Sequence, residues 1–155
     1  MKGNEQVIQA LNVLLASELA AMDQYFIHSR MYQDWGLNKL YERIDHEFDD
    51  EKGHAAKLIE RILFLEGVPD MTTRDAIHIG KDVPAMLQSD LDIEYAVAKT
   101  LKETIALCEA EKDYVSREML EILLDDTEMD HAYWLEQQLG LIEKVGLANY
   151  LQAQM

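Results

Sequence analysis

Glu51-Lys-Gly-His54 and Glu128-Met-Asp-His131 are the stretches that decide the fold. Each is a Glu-x-x-His, and each follows a lone glutamate: Glu18 lies 33 residues before Glu51, and Glu94 lies 34 residues before Glu128. Residues i and i+3 share one face of an α-helix, so each pair aims a carboxylate and an imidazole at one place. One Glu from each of two helices, with Glu-x-x-His from each of two others, is the ligand pattern of a four-helix bundle built around two metal ions. Four carboxylates hold and bridge the ions, and two imidazoles cap the outer ends.

The helix seams show where these acids point. Along the first helix the apolar stripe is Leu11, Leu15, Glu18, Met22 and Tyr25. Along the second it is Ile44, Phe48, Glu51, Ala55, Leu58, Ile62 and Leu65, and along the third Leu87, Leu91, Glu94, Ala98, Leu101, Ile105 and Cys108. Steps of four and three are those of a packed helix face. In each stripe one Glu stands where a hydrophobe belongs. A fourth, less regular stripe of Leu120, Leu124, Glu128, His131, Leu135, Leu139 and Ile142 makes the same replacement. Buried carboxylates without counter-charge cost several kcal/mol each, and metal ions supply that charge.

Chance alone does not account for the pattern. Sixteen Glu and five His in 155 residues give about 0.5 Glu-x-x-His pairs at random. Two are only mildly improbable; their seam positions and matched spacing are the specific signal. Asp75-Ala-Ile-His78 has similar spacing, but no second pair matches it and it falls between helices, so it reads as surface.

The rest of the chain agrees with long helices. There are 7 Gly and 2 Pro, and Pro69 and Pro84 both border one region. The first helix runs from an Asn4 cap to Trp35-Gly36, and the second from Asn38 to Glu66, stopped by Gly67-Val-Pro69. Residues 67–82 form a long connection, and Asp82 caps a third helix ending near Glu111, with Pro84 in its first turn. A fourth spans Asp113 or Tyr114 to Lys144, Gly146 closes it, and Leu147–Gln152 form a short fifth. Two short links make antiparallel hairpins, so the long one must return the chain along the bundle.

At 155 residues the chain is read as one domain, 1–155, large enough to bury a core. A net charge of −16 disfavours nucleic acid and favours cations. One cysteine, Cys108, excludes an internal disulfide framework and a Cys-rich metal site, and suits a reducing cytoplasm. Neither a signal peptide nor a membrane span is expected.

Carboxylates and imidazoles without thiolate suit iron or manganese. Tyr25, seven residues after Glu18, can hydrogen-bond a ligand carboxylate, give up an electron or simply pack. Trp134 reads as a core aromatic, with electron supply as the lesser alternative. His46, Glu47 and Asp50 read, on residues alone, as a solvated acidic face.

The whole chain resembles a bacterioferritin. The resemblance is carried by the six ligand-type residues and by the stretches Gln24–Met31, Leu58–Gly67 and Gly146–Gln152. It implies an all-α, ferritin-like four-helix bundle with one long crossover plus a short C-terminal fifth helix, assembled into a twenty-four-subunit shell. It implies iron storage through a ferroxidase: two Fe(II) bind, dioxygen or hydrogen peroxide takes their electrons, and ferric mineral collects inside. By position, Glu18, Glu51, His54, Glu94, Glu128 and His131 become the di-iron ligands, with Glu51 and Glu128 bridging. Tyr25 becomes the tyrosine beside that centre, and His46 with Asp50 an inner-surface iron site.

One position departs from the family. Haem b is held there by a methionine immediately after the Glu51 equivalent, and this chain has Lys52. An ammonium, with a reference pKa of about 10.4, offers no lone pair to haem iron at neutral pH. Either the shell carries no haem, or this chain co-assembles with a haem-binding subunit and is the oxidising half. Iron release through haem from a small ferredoxin is put in question with it. The rival readings are another di-iron or di-manganese oxidase or peroxidase of the same bundle, and a structural shell subunit.

Overall fold

The computed structural model describes all 155 residues, and every regular element in it is a helix. The bundle is built from α1 (Glu5–Asp34), α2 (Asn38–Phe64), α3 (Val83–Ala110) and a fourth rod in three parts. That rod comprises α4 (Tyr114–Asp125), a π-helical segment (Asp126–Ala132) and α5 (Tyr133–Val145). The short α6 (Leu147–Gln154) closes the chain, and Tyr150 ties it to α5 by donating its buried hydroxyl to Gln138 Oε1 at 2.8 Å. The ferritin-like bundle expected from the sequence is therefore present. No helix is long and apolar enough to cross a membrane.

The helix starts are set by side-chain caps. Asn4 Oδ1 accepts from the backbone N–H groups of Gln6 and Val7, and Asp82 accepts from Ala85 N–H. Both satisfy amides that a first turn leaves unpaired. The ends of α1, α2 and α3 share one device. In each, the residue two past the last helical position adopts positive φ: Gly36 (75°), Glu66 (64°) and Lys112 (59°). The following N–H reaches back five residues, as Gly67 N–H does to Ile62 O at 2.9 Å, which is the Schellman arrangement. The second helix thus stops at Phe64, two residues before the expected Glu66, because Glu66 itself takes the left-handed position.

The crossover runs parallel to α1 and is fastened to it along its length. Asp70 N–H donates to Asn12 Oδ1, Ser17 Oγ donates to Asp75, and His78 N–H donates to Gln24 Oε1. Gly80 N–H reaches the buried His28 ring, so close to Met86 that a Cβ at position 80 would lie 2.4 Å from its backbone nitrogen. Asp75 and His78 both lie exposed in this strap, consistent with a surface segment.

The core is divided in two. One apolar cluster takes Leu11, Leu15, Leu58, Leu101 and Leu120; the other takes Tyr32, Leu40, Ile44, Leu87 and Leu135. Between them lies the layer of acids. The fourth stripe differs from its expectation. Leu123 and Thr127 are fully buried where Leu124 and Glu128 were expected, because the π segment widens the turn and shifts the inward face.

Two changes test this account by denaturation of the metal-free protein. Asp82→Ala loses about 1 kcal/mol with its cap. Lys112→Gly gains about 1 kcal/mol by relieving a left-handed non-glycine residue.

Candidate metal centre

Glu18 from α1, Glu51 and His54 from α2, Glu94 from α3 and His131 from the π segment meet in the layer between the two cores. None is more than 3% exposed. They form two groups with one common member, Glu18/Glu51/His54 and Glu51/Glu94/His131, and within each the ligand atoms lie within 4.8 Å of one another. His131 Nδ1 is 3.0 Å from Glu51 Oε1 and 3.2 Å from Glu94 Oε1. His54 Nδ1 is 3.5 Å from Glu51 Oε2 and 3.6 Å from Glu18 Oε2. The two imidazoles stack, centroids 5.8 Å apart.

Each imidazole turns Nδ1 to the centre and Nε2 to an outer carboxylate. His54 Nε2 lies 3.0 Å from Asp126 Oδ2, and His131 Nε2 lies 2.6 Å from Glu47 Oε2. Asp126 is a hydrogen-bond partner of His54 and Glu47 an ion-pair partner of His131, and a carboxylate beside the far nitrogen makes the inner one a better donor to metal. Tyr25 donates its hydroxyl to Glu94 Oε1 and meets the His131 ring edge-on.

Glu128 does not join them. Its side chain is 44% exposed and its Oε1 lies 3.4 Å from Lys102 Nζ on α3. The expectation that Glu128 and His131 share a face assumed α-helical rotation; across the wider π turn the i, i+3 pair splays apart, so one residue points in and the other out. The fourth buried carboxylate nearby is Glu47, at 2% exposure, which the sequence reading had assigned to a solvated face. Its position four residues before Glu51 was the available signal, since i and i+4 share a helix face. His46 is 62% exposed and pairs with Asp50 at 3.4 Å. Asp50 itself also approaches His131 Nε2, at 3.3 Å. Trp134 is half-buried, beneath the Arg43 guanidinium.

The electrostatics are those of buried carboxylates short of partners. Both Glu18 oxygens, Glu51 Oε2 and Glu94 Oε2 are buried without hydrogen-bond partners. Burial, reinforced by the neighbouring Glu51 charge, holds the Glu18 carboxyl well above the ordinary range. Burial likewise raises Glu94. For Glu51 burial is outweighed by the close Glu18 carboxyl and the two imidazoles, and its pKa is lowered. Burial pulls on His54 in the opposite sense but loses to Glu18 and Glu51, which lift it to about 11. His131 is driven up strongly against its burial by Glu47, Glu51 and Glu94. The raised groups register a demand for counter-charge that bound metal would meet. Orphaned carboxylate oxygens and inward imidazole nitrogens, with no thiolate, form a donor set that fits iron or manganese.

Because these sites carry protons at neutral pH, metal binding must release them. Calorimetry in buffers of different ionisation enthalpy will show proton release from the imidazolium groups on binding, and affinity that rises with pH through neutrality. Glu18 has a raised folded pKa and is protonated below it, so Glu18→Gln copies its neutral form. The metal-free melting temperature should move by no more than about 2 °C, while the stabilisation conferred by added metal is lost.

A ferritin-like domain model matches residues 8–145. The chain is 66% identical over 155 residues to a bacterial ferritin of Synechocystis, covering 100% of this chain and 99% of the relative. It is 59% identical over 155 residues to a bacterial ferritin of Pseudomonas aeruginosa, covering both chains completely. To a bacterioferritin of Brucella melitensis it is 41% identical over 152 residues, 98% of this chain and 94% of the relative. Fold, buried ligand layer and full-length similarity agree, and the chain belongs to the bacterial ferritin and bacterioferritin family.

Proposed function

We propose that the buried layer is a ferroxidase centre within each subunit, which oxidises Fe(II) to Fe(III) with dioxygen or peroxide for storage in a hollow shell. The observation that carries this reading is Glu51, shared between two three-ligand groups whose remaining carboxylate oxygens have no partner. One bridging carboxylate between two half-sites is the arrangement that brings two metal ions together, and carboxylate with imidazole is the donor set for iron. Each Fe(II) gives up one electron, and the oxidant accepts the pair.

The residues divide the work. Glu18 and His54 serve one ion, Glu94 and His131 the other, and Glu51 serves both. Glu128 is the fourth carboxylate, brought in from Lys102 when metal charge replaces the protons of the layer. Tyr25 holds Glu94 through its hydroxyl and is the nearest phenol for supplying an electron. His46 and Asp50 are a candidate inner-surface iron site, with Asp50 the member that also reaches His131. Lys52 is exposed on α2 one residue beyond Glu51, about 100° round the helix, and offers haem no thioether. The assembly is a shell of twenty-four subunits in the cytoplasm, of this chain alone or mixed with a haem-binding subunit that would receive electrons from a ferredoxin. A di-manganese oxidase of the same bundle is separated by metal analysis, and a structural subunit has no reason to bury these acids.

Fe(II) added in air to metal-free protein, in steps from one to some hundreds per subunit, tests the reading. Ferric absorbance should show a fast phase saturating near two per subunit, followed by continued uptake that stays soluble with the protein. A fast phase without further uptake sinks storage and leaves an oxidase; absence of the fast phase sinks the centre. Glu51→Ala, which removes the shared ligand, should abolish the fast phase. The homogeneous protein should purify without a haem absorption band.

A further inference from the structure

We infer that Arg43 is a positioning residue of the metal centre, acting through Glu47 to hold His131 at one of the two metal positions and leaving the other alone. The inference rests on the reading of His131 as a metal ligand. Arg43 stands on α2, one turn before Glu47 and two turns before Asp50 and Glu51. Its Nε donates to Glu47 Oε1 at 2.5 Å, and its Nη2 donates to Asp130 Oδ1 at 2.8 Å. The guanidinium carbon lies 4.7 Å from the centre of the Trp134 ring. Through its other oxygen Glu47 meets His131 Nε2 at 2.6 Å.

One planar group thus spans three elements: α2 through Glu47, the π segment through Asp130, and α5 through Trp134. The π segment is where helical register is irregular, and His131 must be aimed from inside it. Arg43 fixes the residue immediately before His131 and, through Glu47, the far nitrogen of the ring itself. The fork geometry and ring stacking are properties of arginine that lysine lacks.

The same contacts explain a cluster that otherwise resembles a separate cation site. Glu47, Asp50, Asp130 and His131 place their ligand atoms within 4.8 Å of one another. Two of the three carboxylates already bind Arg43, so the cation of this cluster is the guanidinium. Its carboxylates are arranged to orient an imidazole. His54 has no matching device: its outer partner is Asp126, which makes no ion pair with an arginine or lysine. Loss of Arg43 should therefore fall on one metal position only.

The test is a Co(II) titration of the metal-free assembly, followed by calorimetry and by the visible d–d bands of the bound ion. The unaltered chain should bind two Co(II) per subunit. In Arg43→Met, which keeps the stem and removes the fork, one equivalent should bind within about twofold of normal and the other about 10–100-fold more weakly, the usual cost of losing a partner behind a ligand. Glu94→Ala marks that equivalent, because it removes a group from the same position. Arg43→Lys should recover part of the loss, reaching one carboxylate but not both. Equal weakening of both equivalents, or no weakening of either, overturns the inference. If Arg43→Met fails to assemble, Glu47→Gln, which keeps the shape and discards the charge, should give the same one-sided loss, and a symmetric result there overturns it equally. Fewer than two Co(II) on the unaltered chain would instead sink the two-metal reading, and Arg43's role with it.

Discussion

Everything in this bundle is arranged around a layer of carboxylates that the core encloses and does not neutralise. Glu18, Glu51 and Glu94 lie almost without exposure between two apolar clusters, and four of their oxygens lack a hydrogen-bond partner. An orphaned buried charge costs more than a good hydrogen bond returns, so the layer demands counter-charge. The raised His54, His131, Glu18 and Glu94 are that response. Long helices follow from the same constraint. Four ligand-bearing elements must reach one point, and the two leucine-rich cores on either side must supply the stability that the layer itself does not.

The outer carboxylates show that the layer is aimed as well as tolerated. Asp126 behind His54 and Glu47 behind His131 both take up the far imidazole nitrogen, so both rings present Nδ1 inward. The supports differ in strength. Glu47 is nearly unexposed and clamped by an arginine, while Asp126 is half-exposed and carries no such clamp. The two half-sites have similar ligands but unequal scaffolds, and the stiffer scaffold belongs to the ligand that arises from irregular helix.

Much of this was legible before any coordinates. Glu18, Glu51 and Glu94 interrupt regular stripes, and a regular stripe reports burial directly. The caps at Asn4 and Asp82 were legible because their side chains carry the acceptors that first turns need. Glu66 and Lys112 were not, because a left-handed residue other than glycine leaves no mark in composition. The π segment was hidden for a related reason: reading i, i+3 as one face presupposes a constant turn. The fourth stripe was the least regular of the four, and that irregularity was the trace the π turn left. Glu47 was misjudged through its neighbours, since an acid between His46 and Asp49-Asp50 reads as one more surface charge until Arg43 and His131 are seen on either side of it.

The π turn carries Glu128 outward, and charge suits that placement. Three carboxylates already crowd the layer against two imidazoles, and a fourth would add buried charge with nothing to meet it. At the surface it meets Lys102 instead, in an exposed pair worth at most about 1 kcal/mol. Two divalent ions bound there would change that balance, bringing four positive charges against three carboxylates. On the proposed reading a fourth would then lower the energy of the layer at the expense of only a weak surface pair. The π turn serves both residues: it directs His131 inward, beside Glu47 and its Arg43 partner, and leaves Glu128 at the surface beside Lys102.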